Sequence, residues 1–441
     1  MKKRILFFLI VTMAALLFTG CTMRTVEEMY ALPKRSEEFN EMQSAIDTAM
    51  YGMTYASPQS GENQQTVQMA DLDGDGIDEI LVFAKGATEK PLQVLIFTKD
   101  ESGHVRTMET IGSNGLAFEQ VEYVDFDDQP GSELVVGIRV SDRVQRSVAV
   151  YTFKNGNAEL MLMNGYSKFV TCDLDQNGRS ELMVLRSGEE EAERGMAVLY
   201  HYADGQIERS VEMSLSESPE NIRRIMQGKL QNGSPAVFVA STVDQNAIIT
   251  DVLTIKNNRL INIAFSGDVN TSIQTLRNHF VYAEDIDQDA VVEIPSIIAM
   301  KPLSYWNHEE EKYLLRWYSF DDNGWEHDKL FTFHNFVGGW YLQLNSSWAS
   351  RITVEQFNGV YTFYLWDESY QSATPLFTLY VFTGSSRDEE AVKDGRFPLY
   401  RAEGVAYSAS LAEGSAEYDI TEDYLIDSFR LIRQDWQTGE T

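Results

Sequence analysis

The chain has 441 residues, with 67 acidic against 36 basic side chains and a formal charge of -31. The length allows two or three domains, each large enough for its own core, and a hydrophobic share of 43% excludes a disordered chain. Charge of this sign repels polyphosphate, which argues against nucleic acid as a partner and favours cations, while two cysteines exclude a disulfide scaffold.

Lys2, Lys3 and Arg4 precede an apolar run from Ile5 to Phe18 that only Thr12 interrupts. The run is shorter than the about 20 residues that cross a bilayer, so residues 1–20 are predicted to be a signal peptide. The Thr19-Gly20-Cys21 ending, with a small residue directly before the cysteine, resembles the lipobox of bacterial lipoproteins, although Phe18 stands where leucine is usual. The resemblance implies cleavage before Cys21 and acylation of its thiol. Export to the outer face of the bacterial cytoplasmic membrane would follow, with the membrane as partner through the lipid. The mature chain would then keep only Cys172, so its stability must come from packing and ions. Residues 21–61 read as a tether with one short amphipathic helix from Glu37 to Met50 and a loop from Ala56 to Gly61.

An internal repeat follows. Residues 71–83 read DLDGDGIDEILVF, 125–137 DFDDQPGSELVVG, 173–185 DLDQNGRSELMVL and 285–295 DIDQDAVVEIP; GKLQNGSPAVFVA, from Gly228 to Ala240, is an eroded copy. The starts lie 54, 48, 55 and 57 residues apart, which is the length of a supersecondary unit. Each acidic loop leads into short apolar strands, such as Leu92 to Phe97 and Val148 to Phe153, separated by Gly, Asn and Asp turns. Four strands per unit is blade size.

The loops have the chemistry of a calcium site. Calcium takes six to eight oxygens at about 2.4 Å, which alternate residues of a tight loop can supply, with glycine at position six for the turn. The first loop offers Asp71, Asp73 and Asp75, the carbonyl of Ile77, and Glu79. An EF-hand would need glutamate at position 12, where Val82 stands, so that motif is excluded. The third offers Asp173, Asp175, Asn177, the carbonyl of Arg179, and Glu181, with Gly178 in the turn. The loop at 285 offers Asp285, Asp287, Asp289 and Glu293, but Ala290 replaces the turn glycine. The loop at 125 keeps Asp125, Asp127 and Glu133 but has Gln129 and Pro130 at positions five and six, and is ranked a poor site; the copy at 228 has no acids. Interleaved carboxylates repel one another without a cation, so calcium is the expected cofactor, in a structural role. These loops and their strands resemble the integrin-like FG-GAP and VCBS repeats. That resemblance implies a mainly β fold, a five- or six-bladed calcium-stabilised β-propeller over residues 62–334.

All seven tryptophans follow residue 300. Residues 312–334 read as a hairpin that finishes the last blade. After Phe336 the strands GGWYLQLNSSWASRITVEQ, VYTFYLW and PLFTLYVFT precede a helix expected from Ile420 to Arg433, with Thr421 as N-cap and Leu425, Phe429 and Ile432 on one face. The GGWYLQL strand followed by Trp348 resembles the small Mog1/PsbP-like α+β domains, with Asn345-Ser346-Ser347 where the family carries proline. The implied boundary puts an α+β domain at 335–441. Tryptophans at strand spacing are expected in the core rather than stacked on sugars.

The sequence contains no HExxH helix, GxSxG elbow, Walker loop or GxGxxG turn, and Cys172 reads as a small buried residue. The reading is a non-catalytic surface lipoprotein that presents a rigid platform to a protein or glycan. The alternative is a polysaccharide-active enzyme with a carboxylate pair on the propeller face.

Overall fold

The computed structural model describes residues 37–100, 104–141, 146–188, 194–244, 247–267, 270–300, 312–367 and 372–432. The signal segment, Cys21, Trp306, His308 and Trp436 lie outside them.

Runs such as Ile80 to Ala84, apolar at every position, are covered on both faces and form central strands; runs that alternate, such as Val105 to Ser113, form edges. Sheet 1 pairs β1 (Met53–Tyr55) and β2 (Val67–Ala70) with one edge of β3 (Glu79–Gly86), followed by β4 (Leu92–Lys99) and β5 (Val105–Ser113). Sheet 2 runs β6 (Ala117–Val124), β7 (Glu133–Arg139), β8 (Arg146–Lys154), β9 (Asn157–Tyr166). Sheet 3 runs β10 (Lys168–Cys172), β11 (Glu181–Ser187), β12 (Gly195–Ala203), β13 (Gln206–Ser214). Sheet 4 runs β14 (Ile222–Lys229), β15 (Pro235–Val243), β16 (Ala247–Lys256), β17 (Arg259–Asn262). Sheet 5 runs β18 (Ile294–Ala299), β19 (Tyr313–Phe320), β20 (Glu326–Asn335), β21 (Trp340–Leu344), and takes the last strand of the chain, β27 (Phe429–Leu431), on its edge. Sheet 6 has the order β22 (Ile352–Phe357), β23 (Val360–Asp367), β24 (Ser372–Thr383), β26 (Val405–Leu411), β25 (Phe397–Ala402). All neighbouring strands are antiparallel, so the protein is mainly β.

Consecutive sheets pack face to face. Leu81 and Phe83 of sheet 1 share a cluster with Phe118 and Leu134 of sheet 2, and the Phe83 and Phe118 rings meet edge-on at 5.1 Å. The next clusters join Val135 and Val150 to Phe169 and Val184, then Leu185 and Leu199 to Val237 and Leu253, then Phe238 and Val252 to Ile294 and Tyr318. Trp340 and Leu342 of sheet 5 join Phe363 and Phe377 of sheet 6. Each such buried side chain contributes about 1.5–3 kcal/mol, so the array is held by a continuous series of interfaces. Helix α1 (Glu37–Ala49) lays Met42 and Ile46 over Ile80, Val82 and Phe97, the face of sheet 1 that points away from sheet 2. Among the described residues, no hydrophobic cluster joins sheet 1 to sheet 5; their outward faces are covered by α1 and by sheet 6.

Two expectations at the C-terminal end are corrected. The boundary near residue 335 cuts through sheet 5, because Trp340 to Leu344 pairs with β20 and continues that sheet. The helix expected to reach Arg433 ends at Ser428: α2 (Ser346–Ala349) and α3 (Arg387–Glu390) are single turns, and α4 spans Glu422–Ser428. Phe429 turns extended because its ring belongs against Trp340 in the core and its backbone pairs with β21. The N-cap is as expected: Thr421 Oγ1 accepts from the Tyr424 amide at 3.1 Å.

Candidate metal centre

The four acidic loops share one construction. Position two carries an apolar side chain, Leu72, Phe126, Leu174 or Ile286, buried in the core. The amide of that residue donates to the Oε2 of the glutamate at position nine, at 3.0, 3.0, 2.9 and 3.2 Å for Glu79, Glu133, Glu181 and Glu293. Glu79, Glu133 and Glu181 are the first residues of the central strands β3, β7 and β11, Glu293 directly precedes the edge strand β18, and all four are buried. The other oxygen of Glu79 accepts from Thr98 Oγ1 at 2.8 Å. The first aspartate ties the turn: Asp71 accepts from Gly74 and Gly76, Asp173 from Asn177 and Gly178, Asp285 from Asp289 and Ala290. Successive loops are stitched together, since Ser132 donates its amide to the Asp71 carbonyl and Ser180 to that of Asp125, both at 2.9 Å. Gly74 packs so closely on Pro130 that a Cβ there would fall 2.4 Å from the proline carbonyl carbon, and its φ is +76°. Only glycine fits that crossing.

One carboxylate oxygen from each of Asp71, Asp73 and Glu79 lies within 4.8 Å of the others, and the same holds for Asp125, Asp127 and Glu133, for Asp173, Asp175 and Glu181, and for Asp285, Asp287 and Asp289. The second of these sets was ranked low on the sequence because Pro130 occupies the turn. The turn is made instead by Asp128 at φ +60° and Gly131 at φ +103°, so proline is accommodated and the carboxylates still converge. The left-handed turn at position six is confirmed at Gly76, Gly178 and Ala290, and a second one at position four, at Gly74, Gln176 and Gln288, had no sequence signal beyond the first loop's glycine. Asp75 and Asn177 stand outside the converging sets; their Oδ1 atoms accept from the Ile77 and Arg179 amides at 2.7 Å.

Burial, with the neighbouring aspartates, pushes Glu79 and Glu133 above the usual carboxylate range, Glu181 up to about 7 and Glu293 up to about 8. In the first three loops this negative charge meets no cationic side chain among the described residues. Among the described residues, no ion pair reaches Asp71, Asp73, Glu79, Asp125, Asp127, Glu133, Asp173, Asp175 or Glu181. The all-oxygen donor sets fit a hard divalent cation such as calcium.

The loop at 285 differs. Lys329 Nζ hydrogen-bonds Asp289 and lies 3.8 Å from Asp287 and 3.9 Å from Glu293 Oε1, an oxygen that has no hydrogen bond. Burial works against the ammonium, and the surrounding carboxylates outweigh it and hold its pKa above the ordinary value. Lys329 sits 36 residues beyond Glu293, on β20, and nothing in the loop sequence points to it.

A cavity of about 360 Å³ lies beside the third loop, lined by Asp175, Asn177, Arg179, Glu181, His201 and Tyr202 among others. Trp317 and Trp340 are fully buried, as strand spacing implies, whereas Trp325 is 71% exposed in a turn. Cys172 is buried and its thiol is pushed upward by burial, which removes it as a nucleophile. No helix among the described residues is long and apolar enough to cross a membrane.

No protein-family model and no curated protein matches the chain. Among solved structures it is similar to the exotype rhamnogalacturonan lyase YesX, at 11% identity and a TM-score of 0.28. That match covers 74% of this chain and 65% of the lyase, so this chain spans about two thirds of the lyase's length.

Proposed function

We propose that this is a calcium-stabilised, non-catalytic binding platform, exported as a bacterial lipoprotein and anchored through Cys21. Sheets 1 to 5 are read as propeller-type blades of the FG-GAP/VCBS kind, arranged as an array with α1 and sheet 6 at its ends. The observation that carries the proposal is the attachment of the loops: Glu79, Glu133 and Glu181 are the first residues of the central strands β3, β7 and β11, Glu293 directly precedes β18, and each loop's second residue is part of the core. A cation bound there ties turn to strand, which stiffens a blade, and its ligands are used up by the fold. Calcium sites of extracellular modules bind at about 0.1–1 mM, matched to calcium outside the cell. The outer loops of the array and sheet 6 then serve as the contact surface for a protein or glycan.

The test is thermal unfolding of the chelated protein while calcium is added to about 5 mM, for the wild type and Asp73→Ala. A rise in Tm that shrinks in the variant supports the reading; no rise in either ends it. Acylation is tested by mass analysis of the N-terminal peptide, expected to begin at a lipid-modified Cys21 and to lose the lipid in Cys21→Ser.

The cavity beside the third loop favours a second reading, a polysaccharide-active enzyme, because two carboxylates and His201 line it. Glu181→Gln would abolish such an activity on glycan substrates. Absence of any turnover in the wild type removes this reading.

A further inference from the structure

The four acidic loops are each matched by a β-bulge at one place in the blade. Between the two strands that follow the loop's own strand (β4 and β5, β8 and β9, β12 and β13, β19 and β20) the register slips by one residue, leaving Met108, Met161, Ser210 and Lys329 without a partner across the ladder. The residues opposite the slip, Phe97, Tyr151, Tyr200 and Tyr318, pair on their other side with Ile80, Leu134, Leu182 and Ile294. Those are the residues that follow Glu79, Glu133, Glu181 and Glu293. Sheet 4 has no acidic loop, and its last two strands pair from Leu253↔Asn262 to Lys256↔Arg259 without a slip.

A bulge re-aims a side chain, and here the extra residues share their surroundings with the loop of their own blade. Met108 packs in the cluster that holds Leu72, and Met161 in the cluster that holds Phe126. Ser210 lines the cavity with Asp175 and Glu181. Lys329 alone brings a charge, and its Nζ reaches three carboxylates of the 285–293 loop. A divalent ion among those oxygens would stand within about 4 Å of an ammonium, where like charges repel strongly.

We propose that the bulge residue decides how each loop is neutralised, and that Lys329 Nζ is the resident cation of the 285–293 loop, which therefore takes no calcium. The assignment deepens the calcium reading by confining the ion to sheets 1 to 3. Lys329→Met gives sheet 5 the bulge residue that sheets 1 and 2 already use.

The experiment is calcium stoichiometry by titration calorimetry on the full-length chain in detergent, after chelation. Lys329→Met is expected to bind one more ion per chain than the wild type, and adding Asp287→Asn is expected to remove it. The same stoichiometry in Lys329→Met and wild type overturns the proposal, as does loss of one ion from wild type on Asp287→Asn alone. A wild type that binds none, beside a Lys329→Met that binds one, sinks the calcium reading of the other loops and leaves this proposal standing. Should Lys329→Met fail to fold, hydrogen exchange of the wild type decides. Chelation is expected to expose residues 71–83 and 173–185 and leave 285–299 unchanged; equal loss at 285–299 overturns the proposal.

Discussion

In the loop between β10 and β11 of sheet 3, Asp173, Asp175 and Glu181 converge with no ion pair among the described residues, and Glu181 is pushed up to about 7. In the loop before β18 of sheet 5 the converging set is Asp285, Asp287 and Asp289, without the glutamate, and Lys329 is bonded to Asp289 and close to Glu293. The backbones are alike down to the left-handed residue at position six, Gly178 in one and Ala290 in the other. On a common backbone the two loops differ in neutralising charge: no ion pair among the described residues reaches Asp173, Asp175 or Glu181, whereas Lys329 sits among the carboxylates of the other. If the proposals above hold, an acidic motif reports metal content only once the residue that faces it from the neighbouring strands is known.

The largest expected effect comes from breaking the lysine-closed region outright. Trp317 is fully buried in sheet 5 and donates its Nε1–H to Thr332, so Trp317→Ala should cost about 3–5 kcal/mol in urea unfolding. The loss should be the same with calcium and with chelator; a loss that depends on calcium would show that sheet 5 shares the ion dependence of sheets 1 to 3.

Acid should act next. His334, on the same strand as Lys329, is held neutral by burial and by His279, its pKa lowered to about 3. Unfolding frees it to take a proton below about 6.5, so its contribution is present at neutral pH and is lost as pH falls from about 6.5 toward 3, at about 1.4 kcal/mol per unit. His334→Phe should flatten this decline in Tm, and an unchanged slope would assign the acid sensitivity elsewhere.

Single loops come third. At tenfold saturation one site adds about 1.4 kcal/mol, which Asp173→Ala should remove and Asp287→Ala should leave intact, read as the calcium-induced shift in Tm. Met108→Lys sharpens the same contrast by placing an ammonium at the bulge of sheet 1, and should lower the calcium stoichiometry by one. The smallest effect is in the turn. Ala290 has φ +69°, so Ala290→Gly should stabilise by about 1 kcal/mol in chelator and calcium alike, again by thermal unfolding.

The 54-, 48-, 55- and 57-residue spacings and the turns between apolar runs were enough to place the strands that follow each loop, the hairpin at 312–334 and the helix from Glu37. Those features rest on local rules: alternation, turn residues and end caps act over a few neighbours, and each unit repeats them. Other features depend on residues far apart in the chain. The edge place of β27, the continuation of sheet 5 through Trp340, and the stop of α4 at Ser428 follow from where Phe429 can be buried. The rescue of the loop at 125 depends on Gly131 crossing Leu72 and Gly74 of the preceding loop.

The amino-acid sequence by itself determined which residues carry negative charge and at what spacing, because both are properties of short segments. Only the tertiary structure decided which of those charges meet a cation from the protein. That depends on a one-residue slip between β19 and β20, which leaves Lys329 unpaired and turns its side chain across the sheet to a loop 36 residues away.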